Sequence, residues 1–332
     1  MNPSPSLDVQ RFEPVTRDGW RLDMTRFKDL AAFDRGRPPV VFVPGFGMNA
    51  FVLSYHPSGI SMVEYLASHG HEVWTANLRG QGGARSTTAR RAKVGFSQLI
   101  QIDLQAVADT VTAHTQTKHD AFVWAGCSLG ASLLYGRLAL SEAPQMCGMI
   151  ALGGPLQWRE VPRIARLLLG STRLVASVPV RGTRRAARMA IPLLRRTPRL
   201  LSMYMNAQHT DLNRPDLLAQ TVDDPATSLS VQISKWIKHK DLVVDGVNVT
   251  QALARCAPKV PLLCIFANKD GVVPPSAALS AVDVFDADQT TVVAAGDARH
   301  WYAHADLFIG REALPRVFDP MQHWLDKVCA RA

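Results

Sequence analysis

Ala125-Gly126-Cys127-Ser128-Leu129-Gly130-Ala131 is the stretch around which the rest of the chain is organised. It follows a β-prone apolar run, Ala121 to Trp124, and opens a segment with helical spacing at Leu129, Leu133, Leu134 and Leu138. Gly126 to Gly130 is therefore Gly-x-Ser-x-Gly at a strand-to-helix junction. A serine on so sharp a turn needs neighbours without side chains, because the helix packs directly against the strand it leaves. The turn lifts the hydroxyl clear of the sheet and leaves the next backbone N–H aimed at a bound carbonyl.

Working outward, the chain alternates strands and helices. Val9 to Phe27 reads as a hairpin with Arg17-Asp18-Gly19 as its turn, and Pro38 to Val43 as a strand buried on both faces. Ser61 to His69 reads as a helix, Glu72 to Ala76 as a strand and Ser97 to Thr117 as an amphipathic helix. A strand at Met149 to Leu152 follows the elbow helix. Strands then resume only at Val260 to Phe266 and Thr290 to Ala294, before a last helix at Pro320 to Val328 with Asp319 as its expected N-cap. The pattern predicts an α/β fold with a mostly parallel, doubly wound sheet. Residues 1–154 and 259–332 form its core, and 155–258, which lacks strand patterns, is an inserted helical cap over the carboxyl ends of the strands, where such sheets bind ligands.

Composition sets the bounds. The chain has 332 residues, 47% of them hydrophobic, enough for one large core with an insertion. Its polar first residues do not read as a signal peptide, and no apolar run approaches the roughly 20 residues of a membrane span. The five cysteines are an odd number without CxxC spacing, which argues against a disulfide or metal framework. The expected location is the cytoplasm, with no metal and no cofactor. The net charge of +9 is concentrated: eleven arginines and a single acid, Glu160, lie between Arg159 and Arg199, interleaved with apolar groups such as Leu167-Leu168-Leu169 and Met189-Ala190-Ile191. This pattern suits contact with an anionic membrane surface or an acidic substrate, and equally a solvated cap surface. Arg184 and Arg188, four apart, share a helical face with Arg185 beside them. No nucleic-acid-binding motif accompanies the charge. Trp236 and Trp301-Tyr302 are candidates either for lining a pocket or for plain packing.

A serine hydroxyl is a weak nucleophile until a base takes its proton, and the base needs an orienting acid. The elbow predicts the order Ser, then Asp or Glu, then His. Asn268-Lys269-Asp270-Gly271 places a carboxylate on a turn after the Val260 strand, and His300 and His304 follow the Thr290 strand. The residues alone leave the two histidines open. For the oxyanion hole, Leu129 supplies one N–H, and the loop Pro44-Gly45-Phe46-Gly47 supplies the other, with Phe46 preferred and Gly47 next. Gly80, Gly82 and Gly83 lack the lysine and spacing of a phosphate loop and read as a turn.

Val15 to Leu22, Pro44 to Gly47, Asn77 to Gly82, Gly126 to Gly130, Asn268 to Asp270 and His304 to Gly310 together resemble the α/β-hydrolase superfamily. The resemblance is to its serine esterase/lipase type, and more narrowly to the acid-lipase-like and polyhydroxyalkanoate-synthase-like branches. It covers nearly the whole chain except the cap. The resemblance implies an α/β-hydrolase fold and, from the His-x-Asp stretch before the last helix, His304 as base. The synthases use cysteine as nucleophile where this chain has Ser128. Cys127 occupies the variable elbow position, with its side chain expected to point away from substrate, so hydrolysis is favoured over polymer synthesis. The expected activity is cleavage of a carboxylic ester through an acyl-enzyme on Ser128, with Asp270 and His304, acting on a small-molecule ester or lipid. Acyl transfer through the same intermediate, and a non-catalytic binding protein on the same fold, are the alternatives.

Overall fold

A computed structural model describes residues 6–330 apart from 88–92, 142–144, 163–164, 167–168, 178–179, 195–196, 198–200 and 257. Eight strands form the central sheet: β1 (Leu7–Phe12), β2 (Asp23–Asp29), β3 (Val40–Val43), β4 (Val73–Asn77), β5 (Phe122–Cys127), β6 (Met146–Leu152), β7 (Leu262–Ala267) and β8 (Thr290–Ala295). Their spatial order is β1-β2-β4-β3-β5-β6-β7-β8. Strands β3 to β8 are mutually parallel, and β2 alone runs against its neighbours, pairing antiparallel with β1 and β4. The expected hairpin is the β1–β2 pair, with Val9 opposite Phe27.

Period-two alternation explains how one apolar run serves two cores. In β5, Phe122 and Trp124 enter the core on one face of the sheet, while Val123, Ala125 and Cys127 enter the core on the other. Helices cover both faces. Helices α1 (Met62–Ser68) and α8 (Asp319–Cys329) pack on the Cys127 side; α2 (Leu104–His114), α3 (Leu129–Leu140) and α7 (Val249–Cys256) pack on the Trp124 side. Helix α1 opens on a reciprocal cap: Ser61 Oγ accepts from the Glu64 N–H, and Glu64 accepts from the Ser61 N–H.

Three local expectations are corrected. Asp319 is not a cap, because a π-helical turn at Leu314–Phe318 runs straight into α8, and the Asp319 carboxylate accepts a bond from Tyr65 instead. The helix expected over Ser97 to Thr117 starts at Phe96 and carries a π-helical turn at Leu99–Asp103, whose last residue is held by Arg79. The inserted segment is not free of strands: Val243–Val244 and Val247–Asn248 pair across Asp245-Gly246, both at positive φ (49° and 83°), a turn that suits an Asp-Gly pair.

The segment between β6 and β7 carries α4 (Thr172–Ser177), α5 (Thr183–Leu194) and α6 (Thr227–His239) before α7. Helix α7 rests on the elbow helix α3, whereas α4 packs on α6. The stretch from 203 to 223 is laced to the loops at the carboxyl ends of the strands. Tyr204 O accepts from the Ala305 N–H, Met203 O from the Gly271 N–H, and Gly47 O from the Asp223 N–H. Trp236 lies between Phe96 and Trp158, and Tyr302 stacks on His209. Tyr302 is wholly buried, whereas Trp236, though buried, also borders a surface cleft with Phe96 and Gln232. No helix among the described residues is long and apolar enough to cross a membrane.

Candidate active site

Ser128 stands alone between the end of β5 and the start of α3, at φ 53° and ψ −121°. A side chain at positive φ is strained, and the surroundings hold it there. The Ser128 N–H donates to Leu152 O at 2.8 Å, and Ser128 O accepts from the Ala131 N–H at 3.0 Å. Two glycines permit the packing. A Cβ on Gly130 would lie 2.1 Å from Val43 O, so the elbow helix could not approach the end of β3. A Cβ on Gly45 would lie 2.8 Å from both Cys127 O and Ser128 Cβ. The loop after β3 is thereby pressed against the serine.

That loop is braced from outside. Gln81 Nε2 donates to Gly45 O at 2.8 Å, and the Asp223 N–H donates to Gly47 O at 3.0 Å. The Asn77 to Gly83 turn that carries Gln81 is in turn held by Arg79. Its buried guanidinium spans Asp103 (2.6 Å) and Asp18 (2.7 Å) in a forked pairing suited to two carboxylates. Phe46 and Leu129 line one narrow cleft with Met48, Leu133 and Leu229. Leu129 is the first residue of its helix, so its N–H has no acceptor within the helix. The Phe46 N–H donates no hydrogen bond among the described residues.

The third part lies at the ends of β7 and β8. His304 Nδ1 and Asp270 Oδ2 are 2.6 Å apart, and their side chains are 5% and 1% exposed. Asp270 Oδ1 accepts from the N–H groups of Val272 (2.8 Å) and Val273 (2.9 Å), which turns the other oxygen towards the ring. The loop Gly153-Gly154, at the end of β6, touches both halves of the site. A Cβ on Gly153 would sit 3.4 Å from His304 Cε1, and one on Gly154 would sit 2.5 Å from Ser128 O. His300 is elsewhere: its half-exposed ring lies 3.4 Å from Asp297. Of the two candidate histidines, the structure brings only His304 to Asp270. Cys127 is fully buried on the α1–α8 side of the sheet, and burial pushes its thiol well above the ordinary range.

Asp306 is a functional candidate that sequence reasoning misses. Its buried carboxylate accepts from the N–H groups of Ala303 and Asn206 and from the Thr210 hydroxyl, each at 2.8 Å. Burial raises its carboxyl above the ordinary value, and these bonds oppose the shift. Asp306 joins the His304 loop to the inserted segment. The one signal for it in the sequence is its place two residues after the histidine. Among the described residues, no group of three His, Cys, Asp or Glu side chains could hold a metal ion.

Sheet order, elbow and helix layers define a class of enzyme-bearing scaffold, and the comparisons agree with it. The family model described as the alpha/beta hydrolase fold matches residues 38–304, and the chain belongs to that family. No curated protein matches the sequence. A thermophilic esterase from Thermogutta terrifontis is similar in structure, with a TM-score of 0.62 at 16% identity, over 96% of this chain and 99% of that one. An esterase from Rhodococcus sp. ECU1013 gives 0.62 at 15% identity, over 96% and 99%. A meta-cleavage product hydrolase, solved as a mutant, gives 0.61 at 13% identity, over 97% and 98%. At such identities the likeness establishes the fold alone.

Proposed function

We propose that the protein is a serine hydrolase of carboxylic esters. The observation that carries the reading is the buried Asp270–His304 pair set against the same Gly153-Gly154 loop as the Ser128 elbow. In this reading Ser128 Oγ attacks the ester carbonyl as His304 Nε2 takes its proton, while Asp270 holds the imidazole in the required tautomer. The Phe46 and Leu129 N–H groups hold the oxyanion. His304 then gives the proton to the leaving alcohol, and water, activated by the same ring, releases the acid and restores Ser128. Residues 155–258 act as the cap, and the apolar cleft beside Phe46 and Leu129 takes the acyl group. Esterases among the structural neighbours are consistent with this assignment.

Fluorophosphonate labelling followed by turnover of p-nitrophenyl esters tests it. The wild type should label and turn over, Ser128→Ala should do neither, and the buried Cys127→Ala should keep both. His304→Ala should lose several orders of magnitude in rate, and His300→Ala little. Labelling without release to water, but with release to an added alcohol or thiol, would make the protein an acyltransferase. A wild type that does not label would leave the fold as a binding module.

A further inference from the structure

We propose that the outer face of α5 is a docking surface for an anionic phospholipid bilayer. The helix separates its residues sharply. Ile191 is buried, and Ala187 and Leu194 pack beside it against the core. On the other side, Arg185, Met189 and Leu193 follow one another at four-residue intervals, which sets them in one stripe with Arg188 alongside. Met189 is 70% exposed and Leu193 is 65% exposed. Arg181, just before the helix, is also exposed, and none of Arg181, Arg185 and Arg188 has an acidic partner among the described residues. Leu174 and Val180, the exposed apolar residues that precede α5, extend the same composition.

Single exposed apolar residues are ordinary. Two large ones in register with unpaired arginines are what an interfacial helix presents, with apolar side chains for the acyl boundary and cations for the headgroups. A nucleic acid would answer the arginines and leave Met189 and Leu193 in water. The structure also removes one arginine from this surface. Arg184, seven residues before the buried Ile191 and so on the inward side of the helix, turns to Asp223 and to Val222 O. Arg163, Arg195, Arg196 and Arg199, with Leu167 and Leu168, lie outside the described residues.

The surface is fixed relative to the site. The Asp224 carboxylate accepts from the N–H groups of Gly182 (2.9 Å) and Thr183 (2.7 Å) at the start of α5. The adjacent Asp223 holds Arg184 through its side chain and Gly47 through its backbone. A bilayer under α5 would therefore lie a short, hydrogen-bonded path from the loop that carries Phe46.

Flotation of the full chain with vesicles tests the proposal without reference to ester chemistry, and Ser128→Ala should bind as the wild type does. The protein should partition onto phosphatidylcholine vesicles containing phosphatidylglycerol, much less onto phosphatidylcholine alone, and less as salt rises. Replacing Arg181, Arg185 and Arg188 together with Gln should weaken partitioning about a hundredfold, about fivefold for each arginine. Met189→Ser with Leu193→Ser should weaken it even at low salt. Both variants should hydrolyse a short soluble ester as the wild type does. A wild type that ignores anionic vesicles at low salt, or variants that bind unchanged, would overturn the proposal. So would a dimer in the absence of lipid that these substitutions abolish, since the face would then belong to a second copy of the chain.

Discussion

His304 and Asp270 meet at 2.6 Å with both side chains almost wholly withdrawn from water, and the backbone decides which carboxylate oxygen faces the ring. The N–H groups of Val272 and Val273 both donate to Oδ1, so that position must remain an acceptor. Asp270→Asn would keep its amide oxygen there and turn its NH2 towards His304 Nδ1. The ring would then accept at Nδ1 and carry its proton on Nε2, where it could not take one from Ser128. The substitution should lower kcat on a short p-nitrophenyl ester by about four orders of magnitude, with an unchanged circular dichroism spectrum. A loss below tenfold would remove Asp270 from the reaction.

Asp306 makes a different prediction, because it touches no reacting atom. Three donors converge on its carboxylate from the His304 loop and the inserted segment. Asp306→Asn can keep one oxygen for the Ala303 and Asn206 N–H groups but turns an NH2 towards the Thr210 hydroxyl, which must reverse from donor to acceptor, at a cost of about 1–3 kcal/mol in stability. As a positioning residue it should also lower kcat more than it raises KM, since His304 stands two residues away. Equal stability loss with an unchanged kcat would make the role purely structural. Urea unfolding and steady-state kinetics on the same preparation separate the two.

The parts of the fold that were legible in the sequence rest on local rules. Runs such as Val40 to Val43 bury both faces, Ser61 to His69 repeats at helical spacing, and Gly130 allows an approach that any side chain would block. These demands are met within a few residues, so they leave marks in the sequence. The pairing of His304 with Asp270 joins residues 34 apart, and spacing does not distinguish His304 from His300. The resemblance of the His304-Ala305-Asp306 stretch points to His304, and the loop geometry brings that ring to Asp270. The ties of Asp223 to Gly47 and of Asp306 to Asn206 span still longer separations between irregular segments. Lone aspartates in polar loops have no periodicity to betray them. The π-helical turn before Leu104 is hidden for a related reason: its last residue, Asp103, is bonded to Arg79 on a different loop.

His71 links stability to pH. Its ring is wholly buried next to the Arg37 guanidinium, and burial first, then that charge, lowers its pKa from 6.5 to about 4. The folded state thus binds fewer protons than the unfolded chain between these values. Stability from this group is complete above the unfolded pKa and declines as pH falls towards about 4, below which the group adds no further loss. The penalty amounts to about 2 kcal/mol at about pH 5, taking about 1.4 kcal/mol for each pH step of the displacement. His71→Gln, which cannot gain a proton, should be less stable than the wild type at neutral pH through poorer packing. It should nevertheless lose less on acidification, so the two urea midpoints should converge between about pH 7 and about pH 5. Parallel decline of the two proteins across that range would place the acid sensitivity in another group.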